Sequence, residues 1–146
     1  MVDLQSLLLP RHAQHIVLIH FPIALFMAGA AFDAAAEWRK QAVLAAVARY
    51  NLAVAAFSTP LVIVSGLLAW QFQLEGQRLK GELLLHLLFG ILSSALICLV
   101  WWIHFRAGRK PERTLPAYRL PLEFFTAVVV AVTGHLGGII SGLIPR

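Results

Sequence analysis

Charge, acidity and cysteine are all scarce in this chain. Only 13% of its 146 residues are charged, seven are Asp or Glu, and one is cysteine. Soluble domains carry about 25% charged residues, so a soluble enzyme of common type is excluded, and so is a disordered chain. A lone cysteine excludes a disulfide framework and a CxxC metal or redox motif. Cys98 lies inside an apolar run and reads as a small core residue. No repeat of fixed period and no low-complexity tract stands out, and the length suits one domain over 1–146. The serines are scattered without a strand–turn–helix elbow, which removes serine–histidine catalysis.

What the chain has in abundance is apolar length. Hydrophobic residues make up 60%, and the mean hydropathy is +0.78. The net charge of +5 and pI near 10.2 resemble a nucleic-acid signature. However, the basic residues sit between apolar runs, as membrane-flanking charge does, so no nucleic-acid partner is expected. A span needs roughly 17–25 apolar residues. Four segments qualify: Ile16–Ala36, Val43–Trp70, Leu83–Phe105 and Leu120–Ile144. Short joints favour antiparallel neighbours, so the expected fold is an all-α integral membrane protein, a four-transmembrane-helix up-down-up-down bundle. The Thr59-Pro60 step predicts a kink in the second span. The first span superficially resembles a leader ending at Ala34-Ala35-Ala36, but Asp33 interrupts it, and it is read as a retained helix.

Eight basic residues flank one side of the spans (Arg39, Lys40, Arg49, Arg106, Arg109, Lys110, Arg113 and Arg119). Four flank the other (Arg11, Arg78, Lys80 and Arg146). This asymmetry places the first and third joints in the cytoplasm and both termini in the periplasm of a bacterial inner membrane. Trp38, Trp101 and Trp102 mark the cytoplasmic boundary and Trp70 the outer one.

Six histidines carry the functional signal. His15 and His20 open the first span, His86 lies one turn into the third, and His135 lies in the outer half of the fourth. Three helices thus send imidazoles into one half of the bundle, where a polar side chain is costly unless it faces the interior. His104 reads as an interfacial residue and His12 as preceding the helix. Imidazole is the commonest nitrogen ligand for metals, so His20, His86, His135 and His15 are candidate ligands. Gly134 and Gly138 flank His135 at a spacing of four and leave room for a helix or a flat macrocycle. Glu82, four residues before His86, is a candidate second partner for that imidazole. Asp33 is expected to pair with Arg49, Arg106 or His104.

The segment His15–Leu25 (HIVLIHFPIAL) and the run Thr133–Gly138 (TGHLGG), with His86 between them, resemble the bacterial membrane-protein family called domain of unknown function 2231. The resemblance covers nearly the whole chain. One departure is Ile16, where the family's first histidine is followed by proline. Joining of relatives to Rieske-type or cytochrome-c-type modules would imply a redox setting.

These readings lead to an electron-transfer protein or subunit holding haem b by histidines of helices 1, 3 and 4, with His86 and His135 favoured as the axial pair. Its partners would be the lipid bilayer, quinol, and a c-type cytochrome or Rieske protein. The alternatives are a non-haem site for zinc, copper or iron, and a structural subunit of a larger respiratory or photosynthetic membrane complex. An independent enzyme is the weaker expectation.

Overall fold

The computed structural model describes residues 11–109 and 114–142. These form four helices: α1 (Arg11–Arg39), α2 (Ala42–Gln73), α3 (Gly81–Gly108) and α4 (Arg119–Ile140). All four are long and apolar enough to cross a membrane. Large apolar side chains point outward, among them Phe57, Leu61 and Phe124, each more than 60% exposed. The interior combines small alanines and a few larger apolar side chains with Asp33, Thr59, Ser65, Ser93, His104, Arg119, Glu123 and Thr126. A chain with its apolar bulk outside and its polar groups inside suits lipid as solvent.

Helix boundaries follow local chemistry. Lys40 takes a left-handed φ of 53° between α1 and α2. Glu75 and Gly76 do the same after α2, where Trp70 Nε1 donates to the Gln77 carbonyl at 2.9 Å. Pro121 falls in the first turn of α4, where a missing N–H costs nothing. That helix begins at Arg119 and is described as helical to Ile140; the expected end of its span, Leu143–Ile144, lies outside the described residues, as do Lys110, Arg113 and Arg146. The described α1 is also longer than the expected span and includes His12.

Pro60 does not interrupt α2, which runs unbroken through it. The N–H that proline lacks would have bonded the Ala56 carbonyl. The Thr59 hydroxyl donates to that same oxygen at 2.8 Å, so this carbonyl is not orphaned inside the span.

The helices pack in order around a ring, each against its neighbours in sequence and α4 back against α1. Packing is densest between α1 and α2. At Gly29 an added Cβ would stand 2.9 Å from Leu52, so glycine there permits the close approach. Contact is thinner between the hairpins α1–α2 and α3–α4 than within them. The core of Phe26, Leu52, Ala55, Ala56, Ile97, Val100 and Val130 joins the two.

The two hairpins repeat each other, contrary to the expectation of no internal repeat. Buried positions of the first recur 71 residues later: Phe26 and Ile97, Asp33 and His104, Ala36 and Ala107, Ala48 and Arg119, Leu52 and Glu123, Ala55 and Thr126, Thr59 and Val130. The repeat is one of burial rather than identity, which is why the letters conceal it. It makes α1 equivalent to α3 and α2 equivalent to α4, with each equivalent pair diagonal in the ring.

Candidate functional site

Each diagonal helix carries two polar residues on one face. His15 and Asp33 are eighteen residues apart on α1, as are His86 and His104 on α3. Eighteen residues are five turns at about 3.6 per turn, and about 27 Å at 1.5 Å per residue. Each pair therefore shares a face and nearly spans a hydrocarbon core of about 30 Å. Polar groups gather at both ends of the bundle axis.

At the first end His15 and His86 meet across the diagonal, with ring centroids 6.5 Å apart and planes 83° from parallel. The His15 ring is anchored to α2, where its Nδ1 lies 2.9 Å from Ser65 Oγ. That hydroxyl spends its own proton on the Val62 carbonyl, so it accepts from His15 and Nδ1 carries the imidazole proton. His86 is anchored to α4, its Nδ1 donating to the Thr133 carbonyl at 3.1 Å. Both imidazoles thus place the lone pair on Nε2, the tautomer in which a histidine presents that nitrogen to a metal.

Glycine makes both anchorages possible. A Cβ on Gly66 would stand 3.0 Å from His15 Cε1, and one on Gly137 would stand 3.1 Å from His86 Cε1. These glycines are themselves repeat equivalents, as are Val62 and Thr133. Each hairpin therefore lays its imidazole over the same stretch of its second helix. One turn deeper the Ser93 and Thr133 hydroxyls lie 2.7 Å apart. Beside His15, a cleft of about 370 Å³ is lined by Gln14, Ser65, Leu68 and Phe72.

The other expected ligands stand elsewhere. His20 is exposed, and its Nδ1 donates to the carbonyl of Ile16 one turn back. It lies five residues from His15, about 140° around the helix, so one α1 cannot aim both at the axis. His135 is exposed as well. It belongs to the outer face of α4, because Thr133 and Gly137 hold the inner one. His135 therefore does not stand across from His86; the imidazole that does is that of His15. Nothing lies within 4 Å of a Cβ on Gly134, and the Gly138 carbonyl accepts from Ser141 Oγ. The glycine that meets a ring is Gly137, between them. Glu82 is half-buried in the first turn of α3, where its charge suits the helix N-terminus. His86 takes its orientation from Thr133.

At the second end α1, α3 and α4 converge on a buried ionisable cluster. Arg119 donates through Nε to Asp33 Oδ2 and through a terminal nitrogen to Glu37 Oε2, both at 2.7 Å. Glu37 also pairs with exposed Lys40. His104 Nε2 donates to Glu123 Oε1 at 2.8 Å, and both side chains are 2% exposed. Asp33, His104 and Glu123 each bring one potential ligand atom within 4.8 Å of the others. His104 is consequently not an interfacial residue. Its neighbours Trp102, Phe105 and Arg106 are exposed, but His104 faces the axis. Asp33 pairs with Arg119 rather than Arg49 or Arg106. Nothing local in the sequence singles out Glu123 or Ser65, and Arg119 reads there only as a membrane-flanking cation; the matched eighteen-residue spacings are the signal that points to both ends.

Aromatic and cationic groups ring this second end. Arg39 lies over Trp38, Arg106 over Trp102 and Arg109 over Phe105, with centroid distances from 5.2 to 6.0 Å. Such pairs suit a membrane–water boundary.

A family model described as a predicted membrane protein, domain of unknown function 2231, matches residues 11–141. The chain belongs to that family. Comparisons with curated proteins and with solved structures return no match.

Proposed function

We propose that this member of the domain of unknown function 2231 family is a membrane electron-transfer protein or subunit that holds haem b between His15 and His86. The observation that carries this reading is the meeting of two oppositely anchored, Nδ1-protonated imidazoles across the ring. Metal–nitrogen bonds of roughly 2 Å put the ring centres of two imidazoles on opposite sides of one ion about 6 Å apart. The 6.5 Å separation already has that scale. Anchoring of the second ring nitrogen by a hydroxyl or carbonyl is the outer-shell device that fixes a ligating histidine. Gly66 and Gly137 keep both niches narrow, and the sparse contact between hairpins leaves the seam where a flat, apolar group would enter.

The excess of basic residues at the Asp33 end supports a cytoplasmic placement for that end. The histidine pair would then lie at the outer leaflet of a bacterial inner membrane. From there the cofactor would exchange electrons with quinol or with a periplasmic carrier such as a c-type cytochrome or Rieske protein.

The test is the absorption spectrum of the purified full chain, with elemental analysis of the same sample. This reading expects a Soret band with sharpened bands on reduction and about one iron per chain. Zinc, copper or iron without a Soret band, and lost in His15→Ala/His86→Ala, would replace haem by a non-haem ion on the same pair. Neither pigment nor metal after supplementation would leave a structural subunit and end the proposal.

A further inference from the structure

We propose a second metal site at the opposite end of the bundle, where Asp33, His104 and Glu123 bind a divalent first-row transition ion such as manganese, iron or zinc. This site is independent of the histidine pair and of any haem there. The three residues come from three helices, each has one candidate ligand atom within 4.8 Å of the others, and all three side chains are 2% exposed or less. Ligands at roughly 2.0–2.2 Å from one ion stand closer together than that, so small side-chain rotations bring them onto a common centre.

Two further observations point to a ligand. His104 Nδ1 and Glu123 Oε2 are buried without a hydrogen-bond partner. With Nε2 of His104 donating to Glu123, Nδ1 of the neutral ring is a lone pair turned into protein rather than water. A buried acceptor without a partner is unfavourable, and an ion held by Glu123 would satisfy Oε2. The second observation is charge. Asp33 and Glu123 supply two buried carboxylates, against which the cluster sets the single guanidinium of Arg119, itself shared with half-exposed Glu37, which Lys40 also meets. A cation offsets that excess of negative charge. Arg119 would keep a positioning role, because its hold on Oδ2 of Asp33 leaves the other carboxylate oxygen for the ion.

The repeat shows how the site is built. In the first hairpin the positions equivalent to Glu123 and Arg119 are Leu52 and Ala48, which pack as ordinary core. Glu123 and Arg119 are thus added by the second hairpin alone, at positions the first hairpin packs with apolar side chains. One nitrogen and two carboxylate oxygens favour the borderline first-row ions over calcium and over copper(I).

The experiment titrates cobalt(II), as a visible probe, into the full-length protein purified with a chelator. Titrations compare wild type with Glu123→Gln, His104→Gln and the pair His15→Ala/His86→Ala. The proposal expects one equivalent with visible d–d bands and a metal-dependent rise in melting temperature. Both are retained when His15 and His86 are replaced, and affinity falls at least tenfold in Glu123→Gln and in His104→Gln. Elution as a monodisperse species and an unchanged helical circular dichroism spectrum identify the variants that fold. If a variant does not fold, competition by zinc and manganese against cobalt in wild type decides between one site and none. Absence of binding and of thermal shift in folded wild type overturns the proposal. So does binding that Glu123→Gln and His104→Gln leave intact, or that disappears with His15 and His86. In the first of these cases a proton held between His104 and Glu123 is the better description of the cluster.

Discussion

Replacing single glycines by alanine tests the packing of both imidazoles. In a helix interior alanine is favoured over glycine by about 1 kcal/mol. Gly134 has nothing within 4 Å of a Cβ, so Gly134→Ala should recover most of that gain. At Gly66 and Gly137 the Cβ falls 3.0 and 3.1 Å from a histidine ring. Those rings cannot simply swing away, because His15 is bonded to Ser65 and His86 to Thr133. Overpacking of this kind costs about 1–3 kcal/mol, which cancels or outweighs the gain. Gly66→Ala and Gly137→Ala should therefore be neutral to about 2 kcal/mol less stable than wild type, and Gly134→Ala up to about 1 kcal/mol more stable. Thermal unfolding of the three variants in one detergent, followed by tryptophan fluorescence, gives the order directly. Equal responses at all three positions would refute the placement of the rings. A response at Gly66 without one at Gly137 would refute the equivalence of the hairpins.

Removing Arg119 leaves the Asp33 carboxylate, 1% exposed, without its cation. Arg119→Leu should destabilise by about 3–5 kcal/mol, with partial recovery in Arg119→Leu/Asp33→Leu. A melting curve for Arg119→Leu that overlays wild type would contradict the ion pair. Thr59→Val should cost about 1 kcal/mol through the unsatisfied Ala56 carbonyl, and much less when Pro60→Ala restores the backbone donor; a double-mutant cycle with no coupling would refute the compensation. Ser65→Ala should loosen His15 and lower the melting temperature, whereas His20→Ala and His135→Ala should leave it within about 0.5 kcal/mol of wild type, as exposed substitutions usually do.

The four helices were legible in the sequence because hydropathy reports length directly, and their ring order followed from the short joints. The bearing of each side chain was not legible. α3 is apolar on every side, so no periodicity marks its inner face. His86 and His135 look alike in such a background, yet one is anchored on Thr133 and the other is exposed. His104 was misplaced for a related reason. Trp101, Trp102, Phe105 and Arg106 around it mark a membrane boundary, and a boundary residue is ordinarily wet. Only its five-turn spacing from His86, matched by Asp33 and His15, aligns it with the axis. The repeat was hidden because equivalent positions conserve burial while changing chemistry, as Leu52 and Glu123 illustrate.

Electron paramagnetic resonance of the oxidised protein bears most directly on the pairing of His15 with His86. Two imidazoles on one ferric haem give a low-spin signal. That signal should pass to high spin, or vanish with the haem, in His15→Ala and in His86→Ala alike, and persist in His20→Ala and His135→Ala. A low-spin signal that survives the loss of His15 and disappears with His135 would contradict the pairing across the diagonal.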